Sequence, residues 1–275
     1  RESEDTYFAY ILSESDDIDD FLSEYNLSPS ETNKLINKPE LCDEDSLIAS
    51  YVKEMQGSFP STKEMSSIAR EICKKIYPNI DCKKKPDSTL LLWINEEYKL
   101  YRAAENVIFG SLIIDGFNDL EEFMTLAKTI TNTRKSRGGK SLENHLCQLF
   151  RCNELQYSDQ AITEGRKTPD FIFPSIKHYH DMEYPVERIV SLAAKTTCKD
   201  RWRQILTEAD RLKERPKYLC TLQQGLSMNQ LEEMNSENVI LVVPKEYIKT
   251  YPKDSPCSII SVEQFITRVR EIESL

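Results

Sequence analysis

Apolar residues recur every three or four positions through the first half of the chain. After Phe150 they fall instead into short runs and alternations. The first pattern belongs to amphipathic helices and the second to strands. Three- and four-residue spacing predicts a helix over 61–77, STKEMSSIAREICKKIY, with a serine-rich start, and a long one over 88–115. NDLEEFMTLAKTITNTRKS (118–136) starts another, with Asn118 or Asp119 as its cap and Glu121 and Glu122 in the first turn. A further helix begins near Ser141 with SLENHLCQLF. The stretch KKKPD (83–87) reads as a loop with solvated lysines. Residues 1–60 read as short acidic helices separated by turns such as LSPSE and NKPEL.

Beyond Phe150, TPDFIFPS (168–175) predicts a strand with Asp170 and Ile172 on one face and Phe171 and Phe173 on the other. RIVSLAAKTT (188–197) is a longer strand, and YLCTL (218–222) and VILVVP (239–244) are short ones. Helices are expected over 200–213 and 261–272. Strands alternating with helices predict an α/β core with parallel strands behind a helical N-terminal region.

Charge divides the chain. Residues 1–60 hold 15 acids and 4 bases, whereas residues 61–275 hold 31 acids and 32 bases. The net charge of −10 therefore belongs to the N-terminal segment, and the remainder is free to carry the local basic clusters that nucleic acid requires. On this basis 1–60 is expected to be an accessory segment or subdomain and 61–275 the functional domain. The eight cysteines include no C-x-x-C pair, which speaks against structural zinc and for thiols in a reducing cytoplasm. There is no run of eighteen apolar residues and no apolar core of a secretory signal, so no membrane span is expected. The chain starts at Arg1, and the natural protein is expected to extend upstream.

Three residues of the α/β part carry candidate chemistry. Asp170 follows a proline at a strand start, Lys195 interrupts an apolar strand near its end, and Glu208 sits in the following helix. Helical spacing gathers Arg201, Gln204 and Glu208 into a polar stripe. Two acids and a lysine converging on one pocket suit metal-dependent phosphodiester hydrolysis. Carboxylates hold a hard cation such as Mg2+, and the lysine orients water and steadies phosphate charge. RKSRGGK (134–140) carries four cations and two glycines in seven residues. Arg134 stands where a P-loop needs its leading glycine, so a mobile loop on DNA phosphates is the expectation.

The blocks AITEGRKTPDFIFPS, YHDMEYPVE, LAAKTTCKDRWRQILTEAD, RKSRGGKSLENHL and VVPKEY resemble the catalytic domain of EcoRII-like type II restriction endonucleases, from about residue 60 to the C-terminus. That resemblance implies the PD-(D/E)xK restriction-endonuclease core, a mixed central sheet flanked by helices. In this branch the second acid moves off the lysine strand. Ala193 stands where it normally sits, and Glu208 supplies the carboxylate. Asp170 and Glu208 are the implied metal ligands, and Glu143 is implied as a helical acid joining the site. Tyr179 matches a family tyrosine near the site, where it either packs or acts.

The same resemblance implies that Lys199, Asp200 and Arg201 read the outer C:G pairs of a CCWGG or CCNGG site. Arginine and lysine suit guanine acceptors, and aspartate suits the cytosine amino group. It further implies double-stranded DNA as substrate, a homodimer, and a protective cytosine methyltransferase in the host. Where the family has an arginine-rich run, this chain has Trp93-Ile94-Asn95. Trp93 is either a stacking partner for an extruded base or an ordinary core aromatic. The alternatives are a nuclease of the same core acting on modified DNA or in repair, and a DNA-binding protein without catalysis.

Overall fold

The computed structural model describes residues 43–274, without the side chains of Asp43, Lys199, Asp200 and Arg201. The reading of residues 1–42 as acidic helices lies outside it. Six strands, β1 (Ser158–Asp159), β2 (Phe171–Phe173), β3 (Val190–Lys195), β4 (Lys217–Thr221), β5 (Val239–Val243) and β6 (Ile259–Ser261), form one sheet in sequence order. β1, β2 and β3 pair antiparallel, and β3 to β6 run parallel. The sheet is mixed and flanked by helices, the α/β restriction-endonuclease-like architecture expected.

Alternation along the strands gives the sheet two apolar faces. Leu192, Ala194, Cys220 and Val242 face one side, where Phe150 and Phe265 cover them together with Phe171 and Phe173. Ala193, Leu219, Leu241 and Val243 face the other, under Trp202, Ile205, Leu231 and Met234. Phe150 sits edge-on to Phe171 and Phe173, with centroids 5.2 Å away in both cases, the arrangement that ring quadrupoles favour.

The helices are α1 (Asp43–Glu54), α2 (Thr62–Ile76), α3 (Pro86–Ile114), α4 (Leu120–Cys152), α5 (Ile176–His180), α6 (Met228–Ser236), α7 (Lys245–Ile248) and α8 (Val262–Glu273). Ser61 and Glu64 close a capping box at the start of α2, and Asp119 caps α4 through the Glu122 amide. Ile48 and Val52 of α1 share a core with Met65 and Ile72 of α2 and Leu100 and Tyr101 of α3. The change of charge at residue 60 therefore does not coincide with a gap in packing. Asp87, in the first turn of α3, accepts from the amides of Lys245, Val262 and Glu263 at 2.9, 2.8 and 3.0 Å. These are otherwise unpaired first-turn amides of α7 and α8. Burial pushes the Asp87 carboxyl up, against the three amides that favour its charge. Among the described residues no helix is long and apolar enough to cross a membrane.

Two expected elements differ. The helices placed at 118–136 and from Ser141 are one helix, α4, and RKSRGGK lies inside it rather than in a mobile loop. Its cations act as struts. The Arg134 guanidinium grips Glu105 with two bonds of 2.8 and 2.7 Å, and Arg137 donates to the Pro60 carbonyl at 2.8 Å above the Phe59 ring. Such anchors offset the cost of Gly138 and Gly139, about 1 kcal/mol each in a helix interior. The α-helix expected over 200–213 is instead a 3-10 turn sequence, Lys199–Thr207 and then Asp210–Leu212.

The aromatic cluster yields a prediction. Phe150→Ala should lower unfolding stability by about 3–5 kcal/mol in a urea titration. A loss under about 1 kcal/mol would show that Phe150 does not anchor α4 to the sheet.

Candidate active site

The antiparallel pairing of β2 and β3 brings the start of one beside the end of the other. Phe171 pairs with Leu192, so Asp170 stands across from Ala193 and Lys195 lies two residues on, toward the same edge. Pleating then sends Asp170 and Lys195 to the same side of the sheet. Asp170 is buried. Its Oδ2 accepts from the Ala194 amide at 2.8 Å and from Lys195 Nζ at 2.9 Å.

Two further carboxylates lie within electrostatic reach. Glu143, on α4, accepts from Lys140 Nζ at 2.6 Å. Burial pushes its carboxyl up, Lys140 opposes the rise, and Asp170 adds to it. Glu208 follows the 3-10 segment Lys199–Thr207. With three residues per turn, Trp202, Ile205 and Glu208 share one row. Trp202 and Ile205 are buried, so the row carries Glu208 inward, while Gln204 is exposed. This replaces the expected stripe of Arg201, Gln204 and Glu208, which rested on α-helical spacing. Burial pushes the Glu208 carboxyl up, Lys195 lowers it, Asp170 raises it and Lys167 lowers it. The Glu208 carbonyl accepts from Thr163 Oγ1 at 2.5 Å.

Gln160 completes the group, and nothing in the sequence signals it. Its Nε2 donates to Asp170 Oδ1 at 2.9 Å and to Glu143 Oε2 at 3.1 Å. Its own amide donates to the Asp170 carbonyl at 3.1 Å. The residue adopts φ 48, a left-handed conformation uncommon for glutamine and of the sort that persists where surroundings impose it. One amide group thus stands between two like charges.

The other candidates are placed as follows. Lys199, Asp200 and Arg201 begin the segment after β3, and their side chains are outside the description. Tyr179 is buried, donates to Glu164 Oε2 at 2.6 Å and accepts from the Arg211 amide at 3.1 Å. It packs beside Ile172, Ile189 and Leu212. Trp93 is buried, with its ring centroid 5.8 Å from that of His145 and 6.0 Å from the Arg70 guanidinium, as the core reading required. Among the described residues no three His, Cys, Asp or Glu side chains gather closely enough to hold a metal. The donor set nevertheless fits a hard cation. Asp170, Glu143 and Glu208 offer only oxygen, and burial, with the Asp170 charge adding to it, raises Glu143 and Glu208. Mg2+ commonly takes one or two carboxylates and completes its shell with water and phosphate.

The family model described as EcoRII C terminal matches residues 101–266. The type II restriction enzyme EcoRII of Escherichia coli is 46% identical over 185 residues, 67% of this chain and 45% of that protein. The type II restriction enzyme SsoII of Shigella sonnei is 26% identical over 129 residues, 44% of this chain and 41% of that protein. The chain thus spans less than half the length of either relative. Among solved structures, metal-depleted Ecl18kI in complex with uncleaved DNA superposes with a TM-score of 0.65 at 18% identity, over 84% of this chain and 85% of that one. The restriction endonuclease PspGI–substrate DNA complex gives 0.62 at 15% identity, over 78% and 94%. At these identities the superpositions speak for the fold.

The raised carboxyls fix a pH dependence. An acid whose folded pKa lies above its unfolded value destabilises the fold as pH rises through that interval. Glu143→Gln and Glu208→Gln, in EDTA, should therefore each melt higher than the parent chain at pH 8. The gain should vanish as pH falls below the ordinary carboxylate range. Melting curves from pH 3.5 to 8 test this, and variants that melt lower at pH 8 would contradict the cost assigned to burying these charges beside Asp170.

Proposed function

The chain belongs to the EcoRII C-terminal family, and from that premise we propose that it is a type II restriction endonuclease. It hydrolyses double-stranded DNA at a short site of the CCWGG or CCNGG type, leaving 5′ phosphate and 3′ hydroxyl ends. The observation that carries this reading is the bonding of Asp170 to Lys195 at 2.9 Å at one edge of the sheet, with Glu143 and Glu208 in electrostatic reach of both.

Asp170 and Glu208 would hold Mg2+, with Glu143 beside them. Bound there, the cation would supply positive charge for the scissile phosphate and lower the pKa of water. The protein groups do the positioning. Asp170 Oδ2 orders the Lys195 ammonium by an ion pair buried on the carboxylate side. The ammonium in turn orients the attacking water and stabilises charge growing on the phosphate. Gln160 holds the Glu143 and Asp170 carboxylates apart in fixed rotamers, so the donor oxygens are in place before a cation arrives.

Reading is assigned to the turn that follows β3. Lys199 and Arg201 donate to guanine, and Asp200 accepts from the cytosine amino group. Three residues separate Lys195 from Lys199, so recognition and cleavage share one short backbone path. The enzyme acts as a homodimer, each copy cutting one strand of a nearly palindromic site, and a host cytosine methyltransferase protects the same sequence. That the two structural neighbours hold DNA supports DNA as substrate.

The test is digestion of unmethylated plasmid by the 275-residue chain with Mg2+ against EDTA, with the ends sequenced. Discrete fragments ending at CC-N-GG sites are expected, and random nicking or intact DNA would reject the proposal. Lys195→Ala should retain specific binding while cleavage falls by at least about 10²-fold; full cleavage would remove Lys195 from the mechanism. Arg201→Ala should lose about 1–3 kcal/mol of discrimination at one guanine, read by competition between cognate and substituted duplexes. Unchanged discrimination would reject its reading role.

A further inference from the structure

Among the described residues, Lys195, Lys140 and Lys167 all act on the carboxylates of the site. Lys195 and Lys140 each donate to one, at 2.9 and 2.6 Å. Lys167 does not. Its Nζ lies 3.6 Å from Asp210 Oδ1, beyond hydrogen-bond length, and both side chains reach solvent. A loose pair of this kind adds little to the fold.

Lys167 nonetheless stands at the site. Thr163 Oγ1 lies 2.5 Å from the Glu208 carbonyl oxygen and 3.1 Å from that of Lys167, so one hydroxyl joins the two backbones. The Lys167 charge also favours the ionised form of Glu208.

The turn that presents Lys167 is strained. Gly165 and Arg166 are both left-handed, at φ 63 and 62. Glycine takes that conformation freely, and arginine rarely does. The Thr163 amide donates to the Lys167 carbonyl at 2.8 Å and the Lys167 amide to the Glu164 carbonyl at 3.2 Å, which closes the turn around them. Arg166 is exposed, and its guanidinium meets no partner among the described residues. Its side chain therefore does nothing to hold the backbone it strains. A cation kept at such a position beside an active site points to a ligand outside the chain.

That ligand must be anionic, and the site next to it takes a phosphodiester. We propose that Arg166 and Lys167 clamp a backbone phosphate of the bound duplex beside the scissile one, with Asp210 as the counter-ion that holds Lys167 until DNA displaces it. The clamp rests on the nuclease reading above and adds a contact to it. The same loop carries Gln160, which bonds Asp170 and Glu143, and Thr163, which bonds the Glu208 backbone. A phosphate gripped at 166–167 is thereby held in register with all three carboxylates. Such a grip fixes position and carries no sequence information.

The test is binding of a labelled CCWGG duplex and of a duplex of unrelated sequence, in EDTA, by fluorescence anisotropy from about 50 to 200 mM salt. Each phosphate contact contributes about 0.9 to the slope of log affinity on log salt. Lys167→Ala should lower the slope by about that amount on both duplexes. Arg166→Gly should lose as much without melting below the parent, because glycine relieves the turn. Asp210→Asn should tighten binding about threefold at low salt, and the gain should vanish when Lys167→Ala is added. Unchanged slopes, a slope lost only together with thermal stability, or an Asp210→Asn gain that survives Lys167→Ala would overturn the clamp and leave the nuclease reading in place. A parent chain that binds neither duplex would overturn both.

Discussion

The site depends on the acceptor capacity of one buried carboxylate. Asp170 spends Oδ2 on the Ala194 amide and the Lys195 ammonium, and Oδ1 on Gln160. Charge-assisted bonds of this sort are about twice as strong as neutral ones. They tie the start of β2, the end of β3 and the loop before β2 into a single unit. They also explain why an apolar strand can end in lysine. The ammonium is not released to solvent but is met by a carboxylate that the neighbouring strand delivers at the same edge. Without Asp170 the lysine would be a half-buried charge lacking its partner, an arrangement that proteins avoid.

That arrangement is purchased against stability. Glu143 and Glu208 are both pushed toward the protonated form by burial and by Asp170, so at neutral pH the fold holds charges that repel one another. Local conflict of this type marks functional sites in chains that are otherwise consistent. Around it the structure is conventional. Two apolar faces sandwich the sheet, capping boxes start α2, α6 and α8, and the described cysteines are free thiols.

Much of this was legible from residues alone, for identifiable reasons. Period-two alternation placed Asp170 opposite the Phe171 and Phe173 face, and Lys195 stood out because it broke an apolar run. Caps marked the start of α2 and of α4. What stayed hidden was what tertiary contacts decide. Gly138 and Gly139 argue for a loop locally, yet Glu105 and Pro60 hold the flanking arginines and the helix runs through. The segment after β3 tightens to three residues per turn, which moved Glu208 onto the row of Trp202 and Ile205. Gln160 lies in an irregular stretch with no periodicity to betray it, and its role exists only once α4 and β2 are brought together.

The three amides held by Asp87 join residues separated by 158, 175 and 176 positions. A ribosome delivers the amino end first. The beginning of α3 must therefore wait, its carboxylate hydrated, until residues 245–263 have been made. Only when Val262 and Glu263 emerge can that carboxylate exchange water for backbone. α8 is thus the latch on the start of α3. The sheet between them is sealed only after α8 has been made, and the candidate site at its edge cannot become fully rigid before then.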